Sequence, residues 1–236
     1  MRQPPKSRQE PNRGVDLVCQ SVHANGVVGS LLLVAVAVAG LEWPVRLLIE
    51  KGTKVEKKYE TADASNSPSW AKFVPTNKNF SFGEKLVRSL MNGETALMAA
   101  AREGHTGVVR ALIEKGANVD TVGSLDGHSA LVTACRHGQL SVVKLLLDKG
   151  ADVDKEEPTG FNVLIITADE YHRLYSLHAI GVQGHGEQAG IYDAIIRLLV
   201  EKGAKRCDSR GSDIISWATT GSPLHDYLLL RIGASS

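Results

Sequence analysis

Cysteine is scarce in this 236-residue chain: Cys19, Cys135 and Cys207 are odd in number, widely spaced and form no CxxC pair. That excludes a disulfide framework and any zinc-knuckle spacing, and it makes a reducing, intracellular compartment the simpler reading. Surplus charge is also missing. The 27 Lys and Arg residues nearly cancel 26 Asp and Glu, for a formal charge of +1, so no overall field steers the molecule toward nucleic acid or an anionic membrane. A membrane-length apolar run is absent as well. Val27 to Leu41 is apolar apart from Ser30 but meets Glu42, Pro44 and Arg46 short of the ~20 residues a spanning helix needs. Its late position, and Glu10 and Asp16 in its flank, argue against an export signal. What remains is 43% apolar and 22% charged residues, the composition of an ordinary globular or repeat protein with a packable core.

What is present is a period. Gly93 to Asp120 reads GETALMAAAREGHTGVVRALIEKGANVD, and Gly127 to Asp154 reads GHSALVTACRHGQLSVVKLLLDKGADVD. In these stretches Leu97 matches Leu131, Ala100 matches Ala134, Gly104 matches Gly138, Val109 matches Val143, Leu112 matches Leu146 and Gly116 matches Gly150. A fixed period of this length decides architecture before any local pattern does.

Each unit reads as two short antiparallel helices followed by an extended turn. Thr95 and Ser129 precede Ala/Leu-rich runs, where a hydroxyl caps the free N–H groups of a helix start. Gly104 and Gly138 break the first helix. Val108, Val109, Leu112 and Ile113 lie at helical spacing in the second, which ends in Lys115-Gly116, a cation and then a left-handed cap. Small residues Ala99, Ala100 and Ala101 let helices approach closely, and neither unit buries its apolar stripe alone, so stacking is required.

At these residues the chain resembles the ankyrin-repeat family: a capping Thr, Leu, a doubled Ala, Gly-His, Val-Val, Leu-Leu, then Gly-Ala and an Asn/Asp turn, twice in register. The family's Thr-Pro-Leu-His is here Thr95-Ala96-Leu97-Met98 and Ser129-Ala130-Leu131-Val132, a departure expected to reduce turn pre-organisation without changing the fold. The implied fold class is an all-α repeat solenoid of stacked helix-turn-helix units joined by β-hairpin-type loops.

Weaker copies extend the array. The division expected is a flexible tail at 1–26, a degenerate first repeat at 27–56, an insertion at 57–91 and repeats at 92–124 and 125–157. A fourth repeat at 158–208 follows, interrupted at 171–190, and then a capping repeat at 209–236. Residues 57–91 carry Trp70, Phe73, Phe80 and Phe82 and a predicted short helix at Gly83 to Leu90; residues 171–190 carry Tyr171, Tyr175, three histidines and four glycines. Long interruptions of compact folds are usually functional or disordered, and both are read as contact surfaces, the second as a loop before a helix beginning near Ile191.

No catalytic residue, cofactor or metal site is expected. His172, His178 and His185, with Glu170 or Glu187, lack ligand spacing on an evident helix. Gly184, Gly186 and Gly190 miss the GxGxxG spacing and have no preceding strand. Gly127-His128-Ser129 begins like a nucleophile elbow, but Leu131 stands where the closing Gly belongs. Cys135 occupies a small-residue core position.

In the resembled family, partners meet the hairpin tips and the concave face made by the first helices. Carried over residue by residue, that set is Asn92, Glu94, Arg102 and Glu103; Asp126, His128, Arg136 and His137; then Thr159, Phe161, Asp169 and Glu170. Arg102 and Arg136 are read as a basic ladder across two repeats, and these two with Phe161 are the residues expected to dominate. The function expected is a non-catalytic adaptor or scaffold, monomeric and cytoplasmic or nuclear, binding another protein and neither nucleic acid nor membrane. The alternative is a regulatory or inhibitory subunit acting through the insertions.

Overall fold

The computed structural model describes residues 26–56, 80–124, 127–158, 160–217 and 222–231. The tail expected at 1–26 falls almost wholly outside them, as do Trp70 and Phe73. Eleven helices are described: α1 (Gly26–Val38), α2 (Glu42–Glu50), α3 (Phe80–Met91), α4 (Ala96–Glu103), α5 (Thr106–Glu114), α6 (Ala130–Arg136), α7 (Leu140–Asp148), α8 (Val163–Ala179), α9 (His185–Glu201), α10 (Ile214–Trp217) and α11 (Pro223–Arg231). Among the described residues there is no β-strand; isolated antiparallel bridges Val122–Ser129, Glu156–Asn162 and Cys207–Asp213 pin the hairpin loops.

First helices stack in one row, α1 on α4 on α6 on α8 on α10, and second helices in another, α2 on α5 on α7 on α9. The fold is an all-α repeat solenoid. Capping follows the repeat: Thr95 Oγ1 accepts from Met98 N, Ser129 Oγ from Val132 N and Asn162 Oδ1 from Ile165 N. The apolar stripes of both rows meet between the layers, where Leu97, Leu112, Leu131, Leu146, Leu164, Ile195 and Leu199 are buried.

Two seams hold each unit to the next. In the first, a side chain from the following unit caps the end of the preceding first helix. His105 Nε2 lies 3.0 Å from the Val38 carbonyl, Gln139 Nε2 donates to that of Arg102 at 3.0 Å and Tyr192 Oη to that of Arg136 at 2.7 Å. A carbonyl only accepts, so Nε2 of His105 carries the hydrogen. In the second seam, a carboxylate four residues past each unit-ending glycine accepts a backbone N–H from the next unit. Glu56 accepts from Asn118 at 2.7 Å, Asp120 from Asp152 at 2.9 Å and Asp154 from Lys205 at 2.8 Å.

The reading of 171–190 as a loop is corrected here. Both α8 and α9 run for 17 residues, against 8 for α4 and 7 for α6, and α9 begins at His185, well before Ile191. The cause is one position: where Gly104 and Gly138 stop the earlier first helices, this unit carries Tyr171. The helix therefore continues over buried Leu174 and a stacked Tyr171–Tyr175 pair until Gly181, at φ 86°, ends it. Gly186 and Gly190 lie inside α9, so they form no phosphate-cradling loop.

The helix expected at Gly83 to Leu90 is α3, extended at both ends. It packs on α1, and side-chain bonds tie it to the end of α4. It thus lies on the side of the first helices, outside the two stacked rows.

Candidate functional site

The inner face is built by the C-terminal ends of the first helices. Its chemistry at each unit is set by the two residues before the stop glycine or its equivalent: Arg102 and Glu103, Arg136 and His137, Asp169 and Glu170.

At the second unit that face is closed. Arg102 is 5% exposed and Glu94 2%; their side chains form a buried ion pair, and Arg102 Nη1 donates to Ser89 Oγ of α3 at 3.1 Å. Glu103 pairs with Lys85 of α3 at 2.6 Å. The expected surface roles of Glu94 and Arg102 are thereby corrected, and the basic ladder is not continuous. The family-like register places Arg102 on the inner face, but α3 covers it and Glu94 neutralises it. Removing either partner would strand a buried charge.

At the third and fourth units the face is open. Arg136, His137 and Asp169 are exposed, and half-buried Glu170 pairs with exposed Arg173 at 2.6 Å. His137 Nδ1 lies 2.9 Å from the Thr133 carbonyl, so this nitrogen bears the proton. His137 keeps some solvent access, yet desolvation of the rest is the largest influence on it and holds its pKa below the ordinary 6.5. The charges of Arg102 and Arg136 act the same way, against the Thr133 carbonyl and Glu103.

The hairpin tips are held by their neighbours. Asn92 is half-buried. His128 Nε2 lies 2.8 Å from Glu157 Oε1 of the next hairpin. Phe161 is half-buried beneath the Arg210 guanidinium, 4.7 Å from its ring centroid, so it packs against the C-terminal unit and not under the 171–190 segment. Asp126 and Thr159 lie outside the described residues.

Other candidate chemistry is absorbed by the fold. The Ser129 hydroxyl caps α6. Cys135 is fully buried, and burial pushes its thiol up to about 12, against a hydrogen bond with Thr167. Among the described residues no group of three or more His, Cys, Asp or Glu is placed to hold a metal ion, and no helix is long and apolar enough to cross a membrane.

Sequence reasoning missed the α8–α9 hairpin as an element, with Ile180 76% and Val182 41% exposed at its tip. The signal that would have found it is the replacement of the stop glycine by Tyr171.

The repeated caps, paired rows and hairpin bridges make one recurring unit, and residues 71–157 match the family model described as ankyrin repeats in three copies. Residues 71–157 are a run of ankyrin repeats. The match reaches back past α3 into the 57–91 segment, and the ankyrin units it spans include both clear sequence copies. Among curated proteins, none matches the chain. Ankyrin repeats are generally protein–protein interaction modules and typically non-catalytic.

Proposed function

We propose that this protein is a non-catalytic adaptor that holds a protein partner on the inner face of its third and fourth units. The observation carrying this reading is the contrast along that face. Arg102 and Glu103 of the second unit are occupied by Ser89, Glu94 and Lys85, whereas Arg136, His137 and Asp169 stand exposed in the equivalent positions. Of the residues expected to dominate, Arg102 is buried and Phe161 half-buried, whereas Arg136 is exposed, and arginine is enriched among residues that dominate interface energetics. Asp169 beside it makes the face mixed in sign, which suits a partner segment carrying both charges. A monomer working in the cytoplasm or nucleus fits the near-neutral charge and the scarcity of cysteine.

The test is affinity capture from the native cell's lysate with Arg136→Glu beside the parent chain. Loss of a partner's capture, corresponding to about tenfold or more in Kd, with unchanged circular dichroism, supports the reading. Unchanged capture removes it from this face.

A second reading, a regulatory subunit that inserts the α8–α9 hairpin into an enzyme, is favoured by the exposed apolar tip at Ile180 and Val182. It predicts that Ile180→Asp, and not Arg136→Glu, abolishes capture.

A further inference from the structure

The α3 helix lies outside both stacked rows. Units 1 and 2 stack directly, α1 on α4 and α2 on α5, and α3 packs on α1 and bonds to the end of α4. It is seated by a short pattern: Leu86 and Leu90 are buried one turn apart, Ser89 Oγ accepts from Arg102, and Lys85 pairs with Glu103. The seat is mixed, with two leucines and a polar seam.

We propose that the inner side of units 1 and 2 is a docking groove for an amphipathic helix, with α3 as its resident occupant. A partner helix that repeats the α3 pattern, lysine followed by leucine and then serine and leucine one turn later, displaces it. This goes beyond the inner-face reading above: it assigns a second, separate site at units 1 and 2 and names the kind of partner that takes it.

The argument is one of cost. When α3 lifts, Arg102 and Glu94 keep each other, so no charge is left unpaired in the protein interior. Lys85, Ser89 and Glu103 exchange one polar partner for water. Two leucines lose cover, and any helix offering leucines at the same spacing restores it. The Gly93 carbonyl accepts from Ser124 N of the following hairpin and stays with the solenoid, and the backbone bond given up when α3 lifts is the one from Glu94 N to the Ser89 carbonyl, 3.0 Å.

The experiment uses the full chain carrying Leu86→Ser and Leu90→Ser, which frees the groove, and a fluorescent synthetic peptide of residues 80–92. Relief of intramolecular competition gives peptide binding about ten- to hundredfold tighter than to the unaltered chain. Adding Glu103→Lys to the freed chain abolishes that binding, and a Lys85→Glu peptide regains it. A freed chain that keeps its helical circular dichroism yet ignores the peptide overturns the proposal.

Hydrogen exchange on the unaltered chain tests the same proposal even if the double variant fails to fold. The α3 amides exchange about a hundredfold or more faster than those of α4 and α6; equal protection makes α3 a fixed part of the core and overturns the proposal. The two readings fail separately. Arg136→Glu that leaves partner capture intact refutes the inner-face adaptor without touching the peptide result, and a peptide refused by the freed chain refutes the groove while capture through Arg136 stands.

Discussion

Gly104 shows how much one missing methyl group does in this molecule. Its φ of 77° disfavours any side chain, and a Cβ there would sit 2.3 Å from Gln139 Oε1, the side chain whose amide caps the Arg102 carbonyl. Gly104→Ala therefore adds backbone strain to a lost inter-unit bond, and we expect about 2 kcal/mol of destabilisation by urea unfolding. Gly116, at φ 93° with nothing near its added Cβ, carries only the strain, about 1 kcal/mol; equal losses at the two sites would contradict the role given to Gln139. His137 supplies a pH test at the same scale. Its folded pKa lies below the ordinary 6.5, so the unfolded chain takes up a proton that the folded chain resists. Its contribution to stability is full above pH 6.5 and is lost as pH falls through that value toward the folded pKa. A proton NMR titration should place its midpoint below 6.5, and His137→Gln should remove this part of the acid sensitivity.

At the scale of elements, the capped first helices and the glycine-terminated second helices were legible because each boundary is written in one residue type: Thr95, Ser129 and Asn162 at starts, Gly116, Gly150 and Gly203 past ends. The carboxylate seam was written as plainly, since Glu56, Asp120 and Asp154 recur at one register, but its partner is a backbone N–H, which has no letter in a sequence. Asp120→Ala should cost about 1 kcal/mol by removing the acceptor for Asp152 N, with calorimetry as the check and no loss as the contrary result. The extended α8–α9 pair was misread because glycine and histidine content suggested a loop, when the decisive residue was Tyr171 at the stop position. Burial of Arg102 was illegible for another reason. It depends on α3, whose lone helical turns of Leu86 and Leu90 do not say which face they cover. Arg136, at the same register, is exposed, and among the described residues no extra helix packs over it.

At the scale of the whole chain, each described unit covers the apolar face of its neighbour. Ile214, Leu224 and Leu228 of the last unit are fully buried, and Tyr171 shares a hydrogen bond with Ser222 while Arg197 lies 4.1 Å over the Tyr227 ring. Removing residues 209–236 uncovers the final faces of α8 and α9, and the truncated chain should bind hydrophobic dye and aggregate where the full chain does not; a soluble, dye-silent truncation would mean that the last unit is dispensable. The recurring seams also have a mechanical meaning. Held at its two ends and drawn apart, such a chain yields joint by joint, because no bond in one seam is shared with another. Gly104 and Gly138 are 34 residues apart, so each ordinary unit releases about 12 nm of contour. The lengthened fourth unit would register as a visibly longer step in the tension record, a signature of its place in the chain.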